Sequence, residues 1–329
     1  MTDNIKSRIH LKLLIIRFSS MGDIVLTTPV IRALKNQLNA EIHFLVKKSF
    51  VPVIQYNTNI DHIWCEDPEN HDLVKKVKAQ NFDYIIDLQK TLKSYLWCLK
   101  INAKRLTFDK ATFSKLLKIK LGINNFETLH MVDRYMSAVT PLGVRYDHKG
   151  LDFYFDPKME TDINLPTHYI VASIGGTHFT KRFPISKWKE LINLLGQKIV
   201  LIGGKQDELA AKEIEENHPG QIINLCGKSS IQHSAWIIKN ANKVITNDTG
   251  MMHIAAALNK TIVSIWGGTI YQFGFWPLYA EGVNHNTPIE IQELSCRPCS
   301  KFGRADCPKG HFKCMQEINT IHMAEIINK

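Results

Sequence analysis

The sequence predicts an α/β protein made of two successive parallel-sheet units, and three observations carry that expectation. Short apolar, strand-like runs alternate with helical stretches in both halves of the chain. Turn chemistry interrupts the alternation near the middle. Each half also contains a strand that runs into a polar, glycine-bearing turn and then a helix, the arrangement found at the ligand-binding edge of open α/β sheets. In the first half the strand-like runs are Leu11–Ile16, Glu41–Val46, Asp61–Cys65 and Asp83–Leu88, with helical stretches at Val30–Leu38 and Asp72–Gln80. Asp152–Pro157 and Leu165–Thr167 read as the linker. The second series is Tyr169–Ile174, Lys198–Ile202, Gln221–Leu225, Lys243–Thr246 and Thr261–Trp266, and Cys314–Lys329 reads as a closing helix. The expected division is therefore 1–156, 157–313 and a C-terminal helix over 314–329. The two series are not a sequence repeat.

Composition narrows the function. A chain of 329 residues suits two ordinary domains, and 44% apolar content excludes extensive disorder. No run approaches the roughly 18 apolar residues of a membrane span, and Met1–Arg8 lacks an apolar signal core, so a cytoplasmic protein is expected. Seven cysteines, an odd number, fit a reducing compartment. Cys296, Cys299, Cys307 and Cys314 cluster near His311, and two readings fit them: a structural zinc site, or reduced cysteines in a compact loop. The net charge of +10 points to an anionic partner. No helix-turn-helix, zinc-finger or base-stacking motif supports nucleic acid. The excess includes Lys90, Lys93, Lys100, Lys104, Arg105, Lys110, Lys115, Lys118 and Lys120, interleaved with Leu, Trp, Tyr and Phe. That pattern suits anionic lipid headgroups, and equally a solvated helix face whose apolar side is core.

Two loops carry the chemistry. Lys243–Thr246 leads into Asn247-Asp248-Thr249-Gly250-Met251-Met252-His253 and an Ala-rich helix. Gly250 lets a ligand approach the backbone, and the helix N-terminus favours a phosphate, with His253 in the first turn beside it. On the alternative reading Asp248 and Thr249 only cap the helix. Near the other end, Leu11–Ile16 leads into Arg17-Phe18-Ser19-Ser20-Met21-Gly22-Asp23 and a helical stretch. With one glycine and no Walker lysine this is neither a dinucleotide fingerprint nor a P-loop. It sets one carboxylate, Asp23, at a helix start, as a site group or as a mere cap.

These residues resemble glycosyltransferase family 9, the lipopolysaccharide heptosyltransferase family. The resemblance rests on Ile15–Pro29 and Asn247–Leu258 and spans almost the whole chain. It implies a GT-B architecture of two facing Rossmann-like domains, the last helix returning to the first. It implies a sugar-nucleotide donor, ADP-heptose foremost, on the second domain: Thr177 and Lys181 on the phosphates, Asp248, Thr249, Gly250 and His253 on the diphosphate and adjoining sugars, Asp207 on the ribose. Ser19, Ser20 and Gly22 form the acceptor-side loop, and Asp23 across the cleft is the base of an inverting transfer. A helix N-terminus weakens that base and desolvation strengthens it. Lys181 and the second helix N-terminus would stabilise the leaving diphosphate without a divalent metal or any cofactor. The implied acceptor is the phosphorylated, lipid-linked core of lipopolysaccharide at the inner membrane. Another nucleotide sugar, or a non-catalytic lipid- or polyanion-binding protein on the same scaffold, are the alternatives. The chain departs from the family pattern at Phe183, where Trp is usual, and in Trp266-Gly267-Gly268-Thr269, where Pro is usual.

Overall fold

The computed structural model describes residues 11–67, 69–70, 72–109, 119, 128–159 and 163–329. These form two compact units, one running to residue 109 and resumed over Val132–His148, the other holding the remainder. The first contains β1 (Lys12–Ile16), β2 (Glu41–Lys47), β3 (His62–Glu66), β4 (Tyr84–Asp87) and β5 (Lys104–Thr107), in the order β3-β2-β1-β4-β5, all parallel. Leu13 to Ile16 are fully buried, which is why the central strand is a continuous apolar run. The second contains β6 (Ile170–Ser173), β7 (Ile199–Ile202), β8 (Ile222–Asn224), β9 (Lys243–Asn247), β10 (Ile262–Trp266) and β11 (Asn286–Glu290), ordered β11-β10-β9-β6-β7-β8 and again parallel. The strand order reverses between β1 and β4 in one sheet and between β6 and β9 in the other. At such a reversal the chain leaves the two strands toward opposite faces and a crevice opens at their carboxyl ends. Both sequence-singled loops exit β1 and β9, at these crevices.

The paired-unit expectation holds, with differences at the margins. The edge strands β5 and β11 have no clear signal in the sequence: Lys104 and Arg105 open β5, and Pro288 sits within β11 opposite Ser264. Charge and proline are tolerated at an edge because one side of the strand bonds to no neighbour. The chain enters the second unit at Lys149 and not after the turn at 152–157. The reason is contact: Gly150 lies against the backbone of Tyr279 and Ala280, and the Tyr154 carbonyl accepts from Gln232 Nε2 at 3.3 Å. The closing helix is broken into Lys313–Gln316 and Thr320–Asn328, the second piece capped by Asn319. It packs on the helix Ile185–Leu195 of its own unit, with Met323, Ala324 and Ile327 in the core around Trp188, Leu191 and Leu195. No helix among the described residues is long and apolar enough to cross a membrane. Met1–Arg8, Lys110, Lys115, Lys118 and Lys120 lie outside the described residues.

A polar side chain on β2 lies within the first core. His43 on β2 is fully buried, with Nδ1 accepting from Trp64 Nε1 at 2.9 Å and Nε2 donating to Glu41 Oε1 at 2.7 Å. An imidazole that accepts at Nδ1 and donates at Nε2 is neutral. Burial pulls its pKa below the ordinary value, His62 and Lys12 push the same way, and Glu41 opposes them. Protonation would turn Nδ1 into a donor facing a donor. A depressed folded value means the stabilisation is complete above the unfolded value, about 6.5, and is lost as pH falls toward the folded one. We expect urea-unfolding free energies to fall between pH 7.5 and 5.5. The His43→Phe variant should lose up to about 1.4 kcal/mol per pH unit of that slope, the limit for one proton. An unchanged slope in the variant would place the acid sensitivity elsewhere.

Candidate active site

In the second unit the loops leaving β6 and β9 are pinned together by Asn247. Its buried Nδ2 donates to the carbonyls of Ile174 (3.1 Å) and Gly175 (3.0 Å), and its Oδ1 accepts from Phe183 N at 3.2 Å. Asp248 follows, 6% exposed, with Oδ2 paired to Lys181 Nζ at 2.6 Å and accepting from Thr269 Oγ1 at 2.8 Å. Neither Asp248 nor Thr249 caps the helix Gly250–Ala257: Asp248 is turned to Lys181, and the N-cap Thr249 makes no side-chain cap bond. The capping alternative therefore fails here. The helix opens on uncapped backbone N–H groups next to a lysine held in place, a combination that attracts an anion. An ionised Asp248 offers only acceptors, so its position suits holding Lys181 and not touching phosphate.

The remaining residues of this group divide. Thr177 is exposed in the β6 loop. His253 is 3% exposed, on the inner side of its helix. Asp207 is buried as well, closing its own turn by accepting from Gly204 N at 2.9 Å. A Cβ on Gly175 would stand 2.6 Å from Asp207 Oδ2 and one on Gly203 3.0 Å, so the two glycines make room for this carboxylate. Burial raises its pKa, against the Gly204 N–H and the Arg182 charge. The structure thus gives Asp207 a turn-closing place after β7.

In the first unit Asp23 is the hub. Its Oδ2 pairs with Arg17 Nη2 at 2.8 Å and accepts from Ser20 Oγ at 2.7 Å and Ser20 N at 3.3 Å, while Oδ1 accepts from Tyr135 OH at 3.2 Å. Asp23 therefore closes the first turn of Met21–Val25 and also belongs to a larger network. Its carboxylate is 20% exposed, whereas Arg17 and Tyr135 are buried. Burial works against the Arg17 charge, but Asp23 beside it, with Tyr135 and Asp87 acting the same way, leaves the guanidinium pKa raised. Burial, joined by the Asp23 charge, pushes the Tyr135 hydroxyl far above the ordinary phenol range, so it stays a neutral donor. Gln89, from the loop after β4, holds the other side by accepting from Phe18 N (2.9 Å) and Ser19 N (3.3 Å). Gly22 is buried inside the short helix, and Ser19 and Ser20 form its approach.

Nothing in the sequence alone gives a role to Arg17, Gln89, Tyr135, Asn247 or Thr269. Arg17 and Asn247 stood inside the quoted motifs, whereas Tyr135 reaches Asp23 from a helix with no motif of its own. The four clustered cysteines line one cavity of about 660 Å³ together with His311. Among the described residues, the group bringing three metal-type donors within 4.8 Å of one another is Glu41, His43 and His62, not the cysteines. With Nδ1 engaged by Trp64, Nε2 of His43 carries a proton and is no ligand. Burial raises the Cys299 thiol, and the Cys314 thiol is pushed up to about 12.

The profile described as glycosyltransferase family 9 (heptosyltransferase) matches residues 70–304. Lipopolysaccharide heptosyltransferase 3 of Escherichia coli K12 is 26% identical over 304 residues, 80% of this chain and 83% of that protein. Lipooligosaccharide heptosyltransferase 2 of Campylobacter jejuni is 26% identical over 316 residues, 91% of each. The solved structure of E. coli heptosyltransferase WaaC with ADP superposes with a TM-score of 0.72 at 21% identity, covering 96% of this chain and 99% of that one.

The Asn247 staple yields a stability test. Asn247→Ala leaves two carbonyls and one N–H without their partner, and about 1–3 kcal/mol of unfolding free energy should be lost in urea titrations. Unchanged stability would mean the β6 and β9 loops are held by other contacts.

Proposed function

The chain belongs to glycosyltransferase family 9, and on that premise we propose that it moves a heptose from ADP-heptose onto the phosphorylated, lipid-linked core of lipopolysaccharide, with inversion and without a divalent metal. The observation that carries the donor half is the uncapped N-terminus at Gly250 beside the Asp248-held Lys181. The ADP in the E. coli structure and the names of the relatives support a heptose nucleotide as donor. Thr177, Thr249 and the backbone at Gly250 take the diphosphate in this reading. Lys181 does so as well, and its charge counts for more as the leaving group becomes anionic. Asp248 and Asn247 position these groups; Asp207 shapes the turn beneath them.

In the acceptor half, Asp23 accepts the proton of the attacking hydroxyl, which adds to the anomeric carbon as the bond to the diphosphate breaks on the opposite face. Arg17 and the Tyr135 hydroxyl fix both carboxylate oxygens, so the base meets the acceptor in one orientation. The presence of Asp23 and Lys181 together favours a transferase over a non-catalytic protein on the same scaffold. The acceptor is a lipid, so the enzyme works as a cytoplasmic protein peripheral to the anionic inner membrane, and needs no cofactor beyond the donor.

Asp23→Asn should leave ADP-heptose affinity near normal by calorimetry and lower turnover by roughly 10²–10⁴, the usual contribution of a general base. A folded variant with near-normal turnover would remove Asp23 from the reaction. Lys181→Ala should weaken donor binding and slow transfer together, since one charge serves the ground state and the developing diphosphate. If affinity and rate both stay at wild-type values, the diphosphate lies elsewhere.

A further inference from the structure

The helix Leu92–Ile101 is apolar on two opposite sides. At about 100° per residue, Ser94, Trp97, Cys98 and Ile101 fall on one side and are buried. Leu92, Tyr95, Leu96 and Leu99 fall on the other and are 74%, 44%, 48% and 58% exposed. A helix apolar all round is ordinarily covered all round. Lys93 and Lys100 share one flank of the exposed stripe, and Lys104 follows where β5 begins. Lys93 meets Glu66 and lies 5.2 Å over the Phe18 ring, while Lys104 lies 5.7 Å over Tyr84. The helix therefore starts beside the loop that carries Asp23.

We propose that this outward face docks the chain on an anionic lipid bilayer, with Leu92, Tyr95, Leu96 and Leu99 entering the interface and Lys100 and Lys104 remaining among the lipid phosphates. The charge of the flank matches such a surface, and apolar side chains with adjoining lysines are what interfacial binding uses. A second copy of the chain is the poorer occupant. Ten helical residues span only about 15 Å, and four side chains fall well short of the roughly 20–30 residues a side of a stable protein interface. The inference deepens the lipid-linked-acceptor reading: it names the surface that would bring the Asp23 loop to a membrane-bound substrate.

The experiment is co-sedimentation of the full chain with vesicles of phosphatidylcholine and phosphatidylglycerol, and of phosphatidylcholine alone, at low and high salt. No sugar nucleotide or acceptor is present, so the result does not depend on the transfer reaction, which is assayed separately. Wild type should bind the anionic vesicles, more weakly as the Debye length drops below about 10 Å. The combined Leu92→Ser, Leu96→Ser and Leu99→Ser variant should lose at least about tenfold in partitioning at either salt. Lys100→Gln with Lys104→Gln should lose roughly 25-fold at low salt and little at high salt, two surface charges at their usual strength. If the triple serine variant does not fold, Leu96→Gln with Leu99→Gln carries the same test. Wild-type partitioning in a folded leucine variant overturns the proposal. So does equal, salt-independent binding to neutral vesicles, or a wild-type dimer in sedimentation velocity that becomes monomeric in the leucine variant.

Discussion

Reversal of strand order in a parallel sheet is the constraint on which the functional architecture depends. Where β1 meets β4 and where β6 meets β9, the chain departs to opposite faces, and no backbone connection fills the gap at the carboxyl ends. Side chains must then join the loops on either side. Asn247 does this in the second unit, with three bonds to the β6 loop and to Phe183. In the first unit Gln89 bonds the β1 loop from the β4 side, and Arg17 donates back to the Leu88 carbonyl at 2.5 Å. A parallel sheet fixes the strand ends, and these amides and guanidinium fix what leaves them.

Each loop set then carries an ion pair assisted by a hydroxyl: Arg17 and Asp23 with Tyr135, Lys181 and Asp248 with Thr269. Pairing lets a charge sit in a mostly buried position that it could not occupy alone, and removing one partner strands the other. The exposures differ within each pair, and this separates presentation from support. Asp23 is the more accessible member of its pair and Lys181 of the other, so the first loop presents a carboxylate and the second a cation. A proton acceptor and an anion-stabilising group are the complementary needs of displacing a diphosphate with a hydroxyl.

Glycines and edge chemistry shape the rest. Gly175 and Gly203 exist as glycines because the Asp207 carboxylate occupies the space their side chains would need. Along the margins, Lys104, Arg105 and Pro288 sit on edge strands, where they also oppose pairing with another sheet. The helix Leu92–Ile101 departs from this economy, since its polar residues cover only one flank of the outward side.

The sequence by itself determined the fold class, nearly all the central strands and both loops, because buried parallel strands are contiguous apolar runs and the loops are local in sequence. It left two readings for Asp248 and Thr249, and only the tertiary structure chose between them. Lys181 is 67 residues away, and its pairing with Asp248 is what turns that carboxylate from the helix end. Tyr135 at Asp23 and the buried Asp207 were decided in the same way, by partners that folding alone brings together. The closing helix went to the second unit because the core around Trp188 had room for its apolar side, a fact of packing that no local pattern records. The edge strands β5 and β11 stayed illegible for the opposite reason: an edge asks so little of its residues that Lys, Arg and Pro satisfy it as well as valine would.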